Sequence, residues 1–333
     1  MPILKVENLS TSFFTENGEI RAVRNVSFEL DKGKILGIVG ESGSGKSVTV
    51  YSLLGLLPKN ARVVNGSVKL FGRELIGASE KEMQKIRGNR ISIIFQDPMT
   101  SLNPTYTIGK QLTEAILLHT DMGKSAARAR ALELLGMVNI SDGERRLKQY
   151  PFELSGGMRQ RIMIAMALAT EPDILIADEP TTALDVTIQA SILELMLSLQ
   201  KKLGMSIIMI THDLGVIAGT CDEVIVMYAG EIAERGSTSD IFENPRHEYT
   251  KGLLRAVPRH ENLGKRLSTI RGNVIDLRKI PDGCPFAPRC DEAMNICAKK
   301  NADELVIEKN HTVRCWMNQK KIYNESRREL SDE

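Results

Sequence analysis

Apolar residues along this chain gather in short, unbroken runs. Ile35-Leu36-Gly37-Ile38-Val39, Ile91-Ser92-Ile93-Ile94-Phe95, Ile174-Leu175-Ile176-Ala177 and Ile207-Ile208-Met209-Ile210 are continuous rather than alternating. That pattern predicts parallel strands buried on both faces. Each run stops at polar residues: a glycine-rich turn from Gly40, then Gln96, then Asp178-Glu179, then Thr211-His212. Open parallel sheets bind ligands beyond the carboxyl ends of their strands, so these four ends together outline a site. Between 97 and 170 the pattern turns helical, for example from Ala126 to Met137, and Arg159 to Thr170 reads as a helix rich in Ile, Met and Ala.

The turn after the first run carries the strongest chemistry. Gly40-Glu41-Ser42-Gly43-Ser44-Gly45-Lys46-Ser47 fits G-x-x-x-x-G-K-[ST] between a strand and a helix, where backbone N–H groups and a helix N-terminus cradle phosphates. Lys46 is expected to neutralise β- and γ-phosphates, with the Ser47 hydroxyl on Mg²⁺. Asp178 is expected to hold Mg²⁺ through its water shell, and Glu179, one residue on, to be the base for an attacking water. The competing readings are a plain Gly/Ser turn with a surface lysine, a salt-bridged surface Asp-Glu pair, and a Gln96 that only ends a strand. Leu154-Ser155-Gly156-Gly157-Met158 opens the helix after it like a second phosphate-binding end. One active site has no use for two such ends, so two copies or two related chains placed head to tail are expected.

Composition narrows the partners. In 333 residues, 44 Lys plus Arg nearly cancel 42 Asp plus Glu, for a net +2. This balance argues against a general polyanion binder and hence against nucleic acid. No stretch of roughly 18 apolar residues appears, and Met1-Pro2-Ile3-Leu4-Lys5 lacks the apolar region of a secretory signal. An intracellular protein with reduced thiols is expected.

Taken together, these motifs resemble the ABC ATPase family from residue 1 to about 245. The phosphate loop at 40–47, Gln96, the LSGGM signature at 154–158, Asp178-Glu179, Ala183-Leu184-Asp185 as the D-loop and His212 as the switch histidine follow the family's order. Met158 departs from it, since most members carry glutamine there. Three stretches resemble the branch of dipeptide and oligopeptide importers: Gln96 to Pro104, Ser155 to Arg161, and Glu243-Asn244-Pro245 with His247-Glu248-Tyr249-Thr250. This second resemblance covers nearly the whole chain except the charged tail after about Lys320.

The resemblance implies an α/β fold: a P-loop NTPase (RecA-like) core with an antiparallel β subdomain, an inserted helical subdomain at about 97–170, and a Cys-containing extension. The nucleotide-binding domain would run from 1 to 245 and the extension from 246 to 333. ATP would sit on Gly40, Ser42, Gly43, Ser44, Gly45, Lys46 and Ser47, with Phe13 stacked on adenine. Phe14 is the rival for that role, and a core role stands open for either. Ser155, Gly156 and Gly157 would cover the ATP of a partner chain. Asp185 would link the two sites, His212 would meet the γ-phosphate, and Gln96 would join the Mg²⁺ site from the hinge of the insert. The expected activity is ATP hydrolysis that powers dipeptide or oligopeptide import from the cytoplasmic face of the membrane. The expected partners are two integral-membrane permease subunits, a second ATPase subunit and, indirectly, an extracellular or periplasmic peptide-binding protein. The branch usually pairs two different ATPase subunits, and a homodimer stays open because every catalytic position is present. Rival readings are a soluble ABC ATPase acting on DNA or ribosomes, a nucleotide sensor without turnover, and an importer of another substrate such as nickel.

After about residue 246 the chain carries Pro258, Pro281, Pro285 and Pro288 and little periodicity. Cys284, Cys290, Cys297 and Cys315 are spaced C-x₅-C-x₆-C-x₁₇-C. Four thiolates suit either a tetrahedral zinc or a [4Fe–4S] cube. The gaps are wider than those of zinc ribbons, and ordinary buried cysteines are a third reading. Resemblance to dipeptide-importer ATPases implies the iron–sulfur cluster, either as a structural staple or as a redox sensor. Cys221, alone after the histidine, is expected in the core.

Overall fold

The four apolar runs are strands in the computed structural model, with most of their residues buried. The structure describes residues 2–97, 101–182, 184–257, 269–308 and 310–319. Pro98, Met99, Thr100, Ala183, Pro258 and the tail from Lys320 therefore lie outside the described residues. Strands are β1 (Leu4–Thr15), β2 (Gly18–Leu30), β3 (Ile35–Val39), β4 (Ala61–Leu70), β5 (Arg73–Glu74), β6 (Ile91–Ile94), β7 (Ile174–Asp178), β8 (Ser206–Thr211), β9 (Glu223–Tyr228), β10 (Glu231–Ser237), β11 (Leu305–Glu308) and β12 (His311–Val313). Helices are α1 (Lys46–Leu54), α2 (Glu80–Gln84), α3 (Ile108–His119), α4 (Lys124–Met137), α5 (Gly143–Arg146), α6 (Gly156–Ala167), α7 (Val186–Leu203), α8 (Leu214–Thr220), α9 (Thr238–Glu243), α10 (Glu248–Ala256) and α11 (Asn295–Lys299).

The backbone gathers into two compact units, one holding the chain up to Leu4, Glu29–Ile35 and Leu70–Ile210. In this first unit β6, β7 and β8 run parallel, with Ile94 level with Ala177 and Asp178 level with Ile210. Their side chains are almost wholly aliphatic, and each fully buried Leu or Ile contributes about 1.5–3 kcal/mol. Helices α3, α4 and α6 pack on one another through Ile108, Leu112 and Ile116, then Ala127, Ala131, Leu134 and Leu135, then Ile162 and Ile164. Polar residues start α3, α6 and α7, where the first N–H groups need acceptors. Thr107 accepts from Lys110 N, Ser155 from Met158 N and Asp185 from Ile188 N, caps that contribute roughly 1 kcal/mol each.

The second unit holds Lys5–Phe28, Leu36–Lys69 and the chain from Thr211 onward. Strands β2, β1 and β4 lie side by side in that order, which accounts for the antiparallel region expected near the N-terminus. β3 pairs in parallel with β9, and β9 with β10 antiparallel. Late residues then join the same sheet: β12 pairs with β10, and β11 with β12. One buried polar knot fastens this junction. Glu234 and His311 are both 0% exposed, with His311 Nε2 2.9 Å from Glu234 Oε1. The same carboxylate accepts the backbone N–H groups of Arg246 at 2.6 Å and His247 at 2.9 Å. A buried carboxylate is tolerable only with such partners.

Candidate functional site

In the second unit, residues 40–45 carry the chain from the end of β3 into α1. Glycine is needed at two points of close backbone approach. A Cβ on Gly40 would lie 2.3 Å from the carbonyl oxygen of Met227, and one on Gly45 (φ 102°) 2.5 Å from that of Ala22. Gly230 N donates to Ser44 O at 2.9 Å and pins the middle of the loop. Lys46, 6% exposed, folds back so that Nζ donates to the carbonyls of Gly40 at 2.7 Å and Glu41 at 3.0 Å. Ser42 and Gly43 are exposed, and Ser47 lies half-buried in the first turn of α1. Ser44 Oγ is buried without a hydrogen-bond partner among the described residues. An unsatisfied hydroxyl beside the N-terminus of a nine-residue helix suits a phosphate oxygen.

Phe13 and Phe14 follow each other on β1, so they point to opposite faces. Phe13 is half-buried, and Phe14 is exposed with the Arg62 guanidinium 4.4 Å over its ring. His212 is exposed at the start of the loop before α8, where Asp213 accepts from Gly215 N at 2.8 Å.

In the first unit, Asp178 closes β7 and is 2% exposed. Glu179 follows with a left-handed backbone, φ 49°, its N–H donating to Ile210 O at 2.9 Å. Its Oε2 accepts from Gln96 Nε2 at 2.7 Å and from Thr182 Oγ1 at 2.9 Å. Gln96 and Glu179 meet because β6 and β7 are neighbouring parallel strands in level register. Thr182 is a partner that sequence reasoning missed; a threonine three residues after a carboxylate is its only trace.

The signature residues and Asp185 are also brought together in this unit. A Cβ on Gly157 would come within 2.9 Å of Ile188 Cγ2, and one on Gly156 within 3.6 Å of Leu184 Cδ2. The start of α6 therefore lies against the start of α7. Ser155 and Asp185 are both exposed, and each caps its helix. Val186, beside Asp185, is 83% exposed.

The cysteines of the extension are free thiols, and Cys284 N donates to Cys297 O at 2.7 Å. Burial pushes the thiols of Cys284 and Cys290 up to about 11, and that of Cys315 upward as well. Smaller upward pushes come from the neighbouring cysteines: Cys297 and Cys315 act on both Cys284 and Cys290. Cys297 and Cys315 thus lie within electrostatic reach of both Cys284 and Cys290. Among the described residues, however, no three His, Cys, Asp or Glu draw together as a group that would hold a metal ion. Cys221 stands apart and is half-buried rather than a core residue, its thiol pushed up to about 12 chiefly by burial.

Two further contacts reach the phosphate loop from late in the chain, Tyr249 and Arg289 on Glu41. Nothing in the spacing of the residues signals either one.

The family described as ABC transporter matches residues 23–182, and that described as oligopeptide/dipeptide transporter, C-terminal region, matches residues 233–297. The chain is 55% identical to the dipeptide transport ATP-binding protein DppD of Bacillus subtilis, over 95% of its own length and 94% of the relative's. It is 51% identical to the oligopeptide transport ATP-binding protein OppD of Salmonella typhimurium, over 89% of its own length and 88% of that protein's. Among solved structures it is similar to a dimeric ATP-binding cassette in a post-hydrolysis state bound to ADP and Pi. There the TM-score is 0.64 at 29% identity, covering 71% of this chain and 98% of that one.

Proposed function

The chain belongs to the ABC transporter family, and from that premise we propose that it is the subunit that binds and hydrolyses ATP to power dipeptide or oligopeptide import. The observation that carries the chemistry is the Glu179 carboxylate, held at the end of β7 by Gln96 and Thr182 directly after the buried Asp178. The peptide half of the reading is supported by the relatives named above, which match along nearly the whole chain, and by the family match at residues 233–297.

Each residue then has a task. Gly40, Ser42, Gly43, Ser44 and Gly45 line the phosphates with backbone N–H groups and the Ser44 hydroxyl, while Lys46 neutralises β- and γ-oxygens. Phe13 stacks on adenine. Mg²⁺ takes oxygen ligands and keeps several waters; the Ser47 hydroxyl, the Asp178 carboxylate and the Gln96 amide oxygen are donors of that kind. Bound there, the ion would offset the charge that builds on the phosphates. Glu179 orients the attacking water and accepts its proton, and His212 donates to the γ-phosphate. Catalysis of this kind is mostly positioning and charge stabilisation.

Ser155, Gly156 and Gly157 serve the ATP of a second ATPase subunit, with Asp185 between the two sites. Support comes from the exposure of Ser155, Asp185 and Val186 on one edge of α6 and α7. A heterodimer is the arrangement we assign. No helix among the described residues is long and apolar enough to cross a membrane. As partners we assign two integral-membrane permease subunits and, indirectly, a peptide-binding protein that delivers the cargo, in line with the peptide-transport relatives. We accordingly assign the chain to the cytoplasmic face of the membrane. Residues 1–245 form the nucleotide-binding domain, with the helical insert at about 97–170, and residues 246–333 the extension.

For the extension we propose a [4Fe–4S] cluster on Cys284, Cys290, Cys297 and Cys315. The donor set fits in kind and number: four free cysteines, partly or fully buried, with Cys297 and Cys315 within electrostatic reach of both Cys284 and Cys290. Among the described residues no three such side chains draw together round a metal, which bears equally on a cluster and on a tetrahedral zinc. The cluster is therefore supported by the donor set and by the resemblance, with zinc the alternative. The cluster would cross-link a segment that has little core of its own.

Glu179→Gln tests the chemistry. MgATP binding should persist while turnover in the assembled transporter falls by about 100-fold or more, the scale of a lost general base. Near-normal hydrolysis by that variant would contradict the assignment.

A further inference from the structure

The phosphate loop is gripped from outside by the C-terminal extension. Glu41, second in the loop, is chelated by Arg289, with Nη1 donating to Oε2 at 2.6 Å and Nη2 to Oε1 at 2.9 Å. The Arg289 side chain is 5% exposed. Its orientation is set by Nε donating to Arg271 O at 2.9 Å and by Nη1 reaching Tyr228 Oη at 3.4 Å. Beside this pair, the backbone N–H of Glu41 donates to Tyr249 Oη at 2.8 Å. Tyr249 is fully buried, its ring 4.7 Å from that of Tyr228 and 5.4 Å from that of Phe286. Phe286 and Arg289 both lie in the short segment between Cys284 and Cys290.

This arrangement has an electrostatic purpose. A carboxylate in a loop built to receive phosphates repels its own ligand. Exposed ion pairs are weak, but a two-point guanidinium–carboxylate pair with the arginine buried holds both charge and geometry. Arg289 cancels the carboxylate, and Tyr249 holds the backbone at the same residue.

We propose that Arg289 is a positioning residue of the phosphate loop, through which the Cys284–Cys290 segment of the extension sets nucleotide affinity. The proposal rests on the ATP-binding reading above. The loop is then complete only when the extension is folded against it, and damage to the extension is felt as weaker ATP binding.

The test uses the full-length chain, titrated with a fluorescent ATP analogue (mant-ATP) and Mg²⁺, with folding followed by thermal melts. Arg289→Ala should weaken binding by about tenfold or more, the order expected for losing a charge-assisted two-point contact and exposing Glu41. Arg289→Lys, which keeps the charge and loses the fork, should fall between the two. Adding Glu41→Gln to Arg289→Ala should recover most of the loss, a coupling that general destabilisation does not produce. If Arg289→Ala fails to fold alone, Arg289→Lys and the double variant still decide. Wild-type affinity in Arg289→Ala, or a double variant no better than the single, overturns the proposal. Failure of the wild-type chain to bind mant-ATP would instead overturn the ATP reading itself.

Discussion

Glu179 acts from a backbone conformation that costs an L-residue roughly 1–2 kcal/mol, φ 49°. Such strain lasts where the surroundings over-determine it. Here the N–H is tied to Ile210 O, and one carboxylate oxygen receives both Gln96 and Thr182. Lys46 is held in a different way, curled onto two carbonyls of its own loop. In the proposed arrangement the two helix N-termini differ: Lys46 would serve the nucleotide of its own chain and Ser155 that of a partner. Lys46→Ala should abolish mant-ATP binding by the single chain. Ser155→Arg should keep that affinity and block ATP-driven dimerisation, as read by light scattering after gel filtration. Loss of single-chain binding in Ser155→Arg would refute the head-to-tail arrangement.

Elements were legible where burial alone dictates them. β3, β7 and β8 are buried at every residue, so their apolar runs announce them without periodicity. Gln96 meets Glu179 across 83 residues because strand ends in level register bring their next residues together. The extension was not legible in this way. β11 and β12 are short strands whose place beside β10 depends on a buried pair 77 residues apart, Glu234 with His311. Arg289 finds Glu41 across 248 residues. Neither contact leaves a pattern in neighbouring positions, and the cysteine spacing alone left zinc, cluster and core open. Purification without oxygen decides among these. The chain should be brown, absorb broadly in the visible and hold about four irons, and Cys290→Ser should bleach it while ATP binding is measured alongside. One zinc per chain, or no metal, would remove the cluster.

At the scale of the whole molecule, no helix among the described residues is long and apolar enough to cross a membrane. In the proposed function the chain turns ATP hydrolysis into movement through permease partners, with the Ser155 and Asp185 regions facing a second ATPase subunit. The most direct test measures ATP hydrolysis and peptide movement together in one vesicle. The assembled transporter, reconstituted in proteoliposomes with MgATP on the side of this chain, is given its peptide-binding protein and a labelled dipeptide or oligopeptide on the other side. Peptide should cross toward the ATP side, with hydrolysis rising as peptide is added, and both should stop in Glu179→Gln. Hydrolysis that ignores peptide, or transport of nickel with no movement of peptide, would contradict the account.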